Sequence, residues 1–182
     1  SISILSGQVK SRLIKQPETV EPILDKINES AIKMNDSLQD LVWAVKPEND
    51  TLQELLVRME QFASGILESK NINYTFTGPT TVSDIKLNPE LIRNIYLIFK
   101  EAVNNAAKYS NCANVTITIK EKGKQLSLSV IDDGIGFNPE TVKRGNGLNN
   151  MTKRAAQIGG SLNIISEPNK QSGIVLECKI TS

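Results

Sequence analysis

The N-terminal quarter of the chain repeats its apolar residues at a helical period. Leu24, Ile27, Ala31, Met34, Leu38, Leu41 and Val45 follow one another at spacings of 3, 4, 3, 4, 3 and 4. That is an a/d heptad seam, which keeps one narrow stripe facing a partner helix. Ile2, Leu5, Val9 and Leu13 begin a similar stripe that stops before Pro17. The pattern predicts helix through residues 1–47, arranged as a hairpin with a shortened first arm. A hairpin this small cannot bury its own stripe, so a four-helix bundle of two chains is the expected solution. Packing against the chain's own C-terminal part is the alternative. Lys46-Pro47-Glu48-Asn49-Asp50 interrupts the pattern, because Pro47 disfavours helix at Lys46. A domain boundary is expected there, dividing residues 1–47 from 48–182. Trp43 lies off the seam and reads as an aromatic wedged at the hinge.

Beyond the boundary, helical and alternating patterns take turns. Asn49 or Asp50 is the expected cap of a helix through Leu52, Leu55, Leu56, Met59, Phe62 and Ile66. A short strand is predicted over 73–77 and a second near 81–85. Asn88-Pro89 is a cap followed by proline at the first helical position, opening a helix that runs to about Tyr109. Val115, Ile117 and Ile119 alternate as a strand, as do Leu126, Leu128 and Val130 after the turn at Lys122-Gly123-Lys124. A helix over 148–158 ends at Gly159-Gly160, and strands at 162–166 and 174–180 follow. Strands joined as hairpins, with helices gathered on one face, predict an α+β protein built as a two-layer α/β sandwich.

Composition narrows the chemistry. There is no histidine among the 182 residues, which excludes Ser-His-Asp hydrolysis, Cys-His proteolysis and histidine-ligated metals within this chain. Lys plus Arg number 21 against 20 Asp plus Glu, and this net charge of +1, without basic clusters, argues against nucleic acid as a partner. No apolar run approaches the ~20 residues of a membrane span, so no membrane contact is expected of this stretch. Cys112 and Cys178 lack the spacing of a zinc site or disulfide framework and suit a reduced, cytoplasmic setting. The chain starts at Ser1 without Met. It is therefore read as a fragment whose parent protein has room for an upstream membrane segment.

Three motifs carry the candidate chemistry. In Glu101-Ala-Val-Asn104-Asn105-Ala-Ala-Lys108-Tyr109, helical spacing puts Glu101, Asn105 and Lys108 on one face. An acid, an amide oxygen and an ammonium in a line suit a polyphosphate with Mg²⁺, which takes few protein oxygens. A solvated polar stripe is the plainer alternative. Val130-Ile131-Asp132-Asp133-Gly134-Ile135-Gly136-Phe137 closes a strand. A carboxylate on a rigid strand end accepts a hydrogen bond from an exocyclic amine such as that of adenine, and the glycines let the backbone approach a planar ligand. By itself it also fits a plain Asp-Gly turn. Gly145-Asn146-Gly147-Leu148 opens a helix whose free N–H groups and dipole form a phosphate seat, with 137–145 as a lid. A flexible loop ending in a cap is the alternative.

The order and spacing of these motifs resemble the ATP-binding domain of two-component sensor histidine kinases, in the superfamily shared with Hsp90, gyrase and MutL. Glu101 to Tyr109 resembles the N box, Asp132 to Gly136 the G1 box and Gly145 to Leu148 the G2 box. Gly147-Leu148-Asn149-Asn150-Met151-Thr152-Lys153-Arg154-Ala155 with Ile158-Gly159-Gly160 is similar to the short-lid subgroup related to nitrate- and desaturase-sensing kinases. Residues 1–47 resemble the later part of the dimerisation and histidine-phosphotransfer hairpin.

The resemblance implies ATP and Mg²⁺ as cofactors, with Asn105 as metal ligand and Lys108 on a phosphate. It makes Asp132 the adenine selector and Tyr109 a ring lining the base. Gly134, Gly136, Gly145, Gly147 and Leu148 shape the nucleotide site, and Glu101 positions the metal or its waters. Catalytic roles therefore fall to Glu101 and Asn105. The implied partners are a second copy, through the hairpin, and a response regulator receiver domain. Two departures stand out. The phosphoacceptor motif is absent and is expected just before Ser1. The usual Gly-Thr near the end is Gly173-Ile174, one hydroxyl fewer. The alternatives are a Ser/Thr kinase of the anti-sigma-factor type and a dimerisation scaffold with a vestigial pocket.

Overall fold

The computed structural model describes residues 4, 20–44, 51–80, 86–138 and 146–180. The chain divides into two compact units, Ser1–Trp43 and Ala44–Ser182. Helix α1 (Glu21–Ala44) lies in the first except for its last residue, and is started by the Val20 carbonyl, which accepts from the N–H groups of Ile23 and Leu24 at 3.0 and 2.9 Å. The seam expected on this helix is open: Leu24, Met34 and Leu38 are 50, 57 and 57% exposed. The first arm beyond Ile4, the Trp43 and Leu41 side chains and the breaker at 46–50 lie outside the described residues.

The second unit opens with helix α2 (Leu52–Glu68). Its cap is Thr51, not Asn49 or Asp50. The Thr51 backbone is extended and its hydroxyl accepts from the Glu54 N–H at 3.2 Å, while its carbonyl takes the first helical bond from Leu55. Neighbouring polar residues compete for such a role, and the extended backbone selects the one that reaches the third N–H. Leu52, Leu55, Leu56, Met59, Ala63 and Leu67 form the buried stripe.

Strand β1 (Asn73–Thr77) follows. The strand expected at 81–85 lies outside the described residues. Helix α3 (Pro89–Asn105) starts as expected: the Asn88 side chain accepts from the Glu90 N–H at 2.8 Å, with Pro89 at the first position. Its end differs from a continuous α-helix. Residues Ala106–Ser110 form a π-helical turn, closed by Asn111 in the left-handed conformation at φ 52°. Then come strands β2 (Asn114–Lys122) and β3 (Gln125–Asp132), helix α4 (Asn146–Gln157), and strands β4 (Ser161–Ser166) and β5 (Ser172–Lys179). Gly159, at φ 62°, ends α4, where its N–H and that of Gly160 reach back to Ala156 and Ala155.

The strands form one sheet in the order β1-β2-β3-β5-β4. β2, β3, β5 and β4 are antiparallel, but β1 pairs parallel with β2. A parallel pair needs a crossover, and α3 supplies it, so the hairpin rule applies only to the later strands. Register aligns Val115, Ile117 and Ile119 with Asp132, Val130 and Leu128, and these in turn with Ser172, Ile174 and Leu176. All are buried, while the alternate residues are exposed or half-buried. One face of the sheet is therefore core, and α2, α3 and α4 pack beside it. Two polar residues, Asp132 and Ser172, sit at the end of this apolar face. Their presence there asks for a reason.

Candidate functional site

The answer is a cavity of about 570 Å³ between the sheet and the helices. That volume suits a small-molecule ligand. Its walls are apolar: Ala102 and Ala106 from α3 and its π turn, Val130 from β3, Met151 from α4, Ile164 from β4 and Ile174 from β5. Tyr109, Ile135, Phe137 and Leu148 also line it, and Tyr109 and Ile135 are 72 and 52% exposed. The polar lining is sparse, consisting of Glu101, Asn105, Ser110, Asp132 and Ser172.

Asp132 is only 6% exposed. One carboxylate oxygen accepts from the Gly134 N–H at 3.0 Å and the other from the Ser172 hydroxyl at 2.8 Å. Each oxygen keeps a lone pair for a ligand, and a buried carboxylate held this way is a fixed acceptor. The loop after it is pinned from both sides. The Ile135 N–H donates to the Ser110 carbonyl at 2.8 Å, and the Ile135 carbonyl accepts from the Asn169 N–H at 2.7 Å. At Gly136, φ is 58° and a β-carbon would overlap the Glu167 carbonyl, so only glycine fits.

Asp133 points away from the cavity and ties the same loop to the start of β2. It accepts from the N–H groups of Ala113 and Asn114 at 2.9 and 2.8 Å, and from the Asn114 amide at 2.7 Å. These donors, the Asn114 side chain foremost, hold its carboxyl below the usual range. Beside it, burial raises the Cys112 thiol, helped by Asp132 and Asp133 and opposed by Ser110.

Glu101 and Asn105 stay one α-turn apart and both line the cavity. Glu101 meets the start of α4: a β-carbon at Gly147 would overlap its Oε1. The α4 helix is held to α3 further along, where Arg154 donates to the buried Asn94 amide oxygen at 3.2 Å and Asn94 donates to the Glu90 carbonyl. Burial, with Arg93 nearby, lowers the Arg154 guanidinium from its ordinary value, and Glu101 opposes the shift.

The structure thus brings Glu101, Asn105, Tyr109, Asp132, Gly136, Gly147 and Leu148 to one cavity. Gly134 stands behind it, serving Asp132 through its N–H. Lys108 is exposed and is not among the residues lining the cavity; it lies in the π turn that follows Asn105. Gly145 and the lid at 139–145 lie outside the described residues. Ser110 and Ser172 were not among the expected site residues. Ser172 precedes Gly173-Ile174, and its proximity to Asp132 is set by a cross-strand register that local pattern does not reveal.

Apart from Asp132, whose oxygens accept from Gly134 and Ser172, the donors for a divalent cation on the cavity wall are the Glu101 carboxylate and the Asn105 amide oxygen. No cluster of three or more acidic, Cys or His side chains occurs among the described residues. This pair fits Mg²⁺, which takes its remaining ligands from water and phosphate, better than a cation held in an all-protein cage.

Comparison with known proteins decides the family. The profile of the histidine kinase-, DNA gyrase B- and HSP90-like ATPases matches residues 90–182, just over half of the chain. The chain belongs to this ATPase family. Its Glu101-to-Tyr109, Asp132-to-Gly136 and Gly147-Leu148 segments all fall within the matched stretch. The sensor histidine kinase LiaS of Bacillus subtilis is 35% identical over 100 residues, covering 54% of this chain and 27% of LiaS. An uncharacterised sensor-like histidine kinase of Chloroflexus aurantiacus is 25% identical across 100% of the chain and 32% of its own length. The chain therefore spans about a quarter to a third of the curated relatives it matches. Among solved structures, the Acinetobacter baumannii histidine kinase AdeS aligns with a TM-score of 0.66 at 16% identity, over 100% of this chain and 95% of that one. Full-length ShkA, solved with AMPPNP, aligns at 0.63 and 16% identity over 92% of this chain and 40% of that one. These two likenesses concern the fold. The α/β sandwich expected from the sequence is the ATPase fold of this family.

Proposed function

We propose that this chain is the ATP-binding catalytic core of a two-component sensor histidine kinase. One run of helix carries the reading. Ser110, ending the π turn after α3, bonds to the loop of Asp132, while Glu101, further up the helix, abuts the start of α4. The rise between them is roughly 13 Å. That spacing supports a reading with an adenine at the Asp132 end, its amine on the carboxylate, and a polyphosphate towards Glu101, Asn105 and the α4 N-terminus. The apolar walls take the base, with Tyr109 beside it. LiaS brings a histidine kinase to this reading, and the ShkA complex brings an adenine triphosphate analogue.

Asn105 and Glu101 would hold Mg²⁺ or its waters, and the ion supplies neutralisation of phosphate charge. The γ-phosphorus leaves the bridging oxygen of ADP and bonds to an imidazole nitrogen of a histidine outside this chain. It then passes to a response regulator carboxylate. The protein's share is positioning and electrostatic stabilisation. The open stripe of Leu24, Met34 and Leu38 on α1 supports a homodimer sealed through that helix. The reading places the chain in the cytoplasm, which suits its two free cysteines; no helix among the described residues is long and apolar enough to cross a membrane.

The test is incubation of the chain with labelled ATP and Mg²⁺, alone and with a histidine-bearing helical fragment. Label that is acid-labile, on the added fragment only, is the expected result. Acid-stable label on a serine partner would select the anti-sigma-factor type of kinase, and binding without any transfer would select a scaffold.

A further inference from the structure

We propose that Ser172 is a specificity-determining residue of the nucleotide site, supplying the hydroxyl that aims Asp132 at an exocyclic amine. The inference deepens the nucleotide reading above and rests on it.

Ser172 and Asp132 form the last rung of the ladder between β3 and β5. Both side chains are buried, at 5 and 6% exposure, and both line the cavity. The bond between them, 2.8 Å from hydroxyl to Oδ2, uses the single proton that a serine hydroxyl has. Two consequences follow. The carboxylate plane is fixed, because Oδ1 is held independently by the Gly134 N–H. The Ser172 oxygen then offers the cavity only lone pairs. The pair is thus an all-acceptor surface, matched to a purine with a 6-amino group and mismatched to one with a 6-oxo group.

The neighbouring positions leave this task to Ser172. Ile174, two residues on and facing the same way, is apolar and 3% exposed. Ser110 donates its hydroxyl proton to the Ala106 carbonyl at 2.7 Å. Among the described polar residues of the cavity, Ser172 is the one whose side chain meets Asp132. The chain that lacks a hydroxyl at position 174 therefore carries one at 172, in direct contact with the carboxylate.

The experiment compares ATP and ITP, which differ at the purine 6-position, by calorimetry with Mg²⁺ present. The wild-type chain is expected to bind ATP at least about tenfold more tightly than ITP, since a hydrogen-bonding site rejects a mismatched group strongly. Ser172→Ala is expected to lose about tenfold in ATP affinity, the scale of one hydrogen bond to a charged group, and less than about threefold for ITP. The oxo purine never had the bond that is lost. Ser172→Thr should restore the preference. Ser172→Cys, nearly isosteric but a weak donor, should reproduce the alanine result and guards against a folding defect. Equal losses for both nucleotides, or an unchanged ratio in both Ala and Cys variants, would overturn the role of Ser172 and leave the nucleotide site standing. A wild-type chain that binds neither nucleotide would overturn the nucleotide reading itself, and this inference with it.

Discussion

Gly147 lies against the carboxylate of Glu101, so that a β-carbon at position 147 would occupy the place of Oε1. The first turn of α4 is thereby brought onto the polar face of α3. The glycine joins two motifs that lie far apart in the chain, and its lack of a side chain is what permits the contact.

Gly147→Ala should leave the fold nearly intact, because the displaced atoms are the end of a flexible side chain. Its cost is expected to be catalytic: transfer to a histidine-bearing fragment falls by at least about tenfold as Glu101 shifts by about an ångström. A thermal melt near the wild-type midpoint, measured beside the transfer rate, checks the separation.

Asn105→Ala removes an amide oxygen from the cavity wall. ATP binding should lose its enhancement by Mg²⁺, and transfer should fall by about a hundredfold, the scale of losing a charge-stabilising group. Titrating the nucleotide with and without Mg²⁺ on both proteins reads this. A fully active variant would remove Asn105 from the metal's ligands.

Asp133 gives the chain an acid-sensitive tie. Its carboxyl is held below the usual value, chiefly by the Asn114 amide. A depressed folded-state value contributes stability that is complete above the unfolded value of about 4 and is lost as pH falls through the folded one. Urea midpoints should therefore drop below about pH 4 in the wild type and drop less steeply in Asp133→Asn. Parallel pH profiles for the two proteins would contradict this.

The two thiols should differ in reactivity. Burial pushes Cys178 up to about 11, and it lies in the core face of β5. At pH 8, alkylation of Cys178 should proceed only as fast as the protein opens, whereas half-buried Cys112 reacts sooner but more slowly than free cysteine. Mass spectrometry of the alkylated peptides over time gives both rates.

Much of this architecture is local and was therefore legible in the chain. Asn88-Pro89 starts α3 through capping chemistry confined to three residues, and the alternation of Leu126, Leu128 and Val130 gives β3 its buried face. The motif residues at 101, 105, 132 and 147 converge as their types suggest. What escaped lies beyond apolar periodicity and cap chemistry. The π turn at Ala106–Ser110, which holds Lys108, departs from helical spacing only after Asn105. Thr51 caps α2 through an extended backbone that the sequence pattern does not display. The parallel pairing of β1 and the Ser172–Asp132 contact depend on register between distant strands, which no short window encodes.

Calorimetric titration of the wild-type chain and of Asp132→Asn with AMPPNP and Mg²⁺ tests the central claim most directly. The account predicts saturable one-to-one binding by the wild type and a loss of at least about tenfold in the variant, whose amide turns a donor either towards the adenine amine or against the Gly134 N–H. Equal affinities for the two proteins, or no binding heat from the wild type, would contradict it.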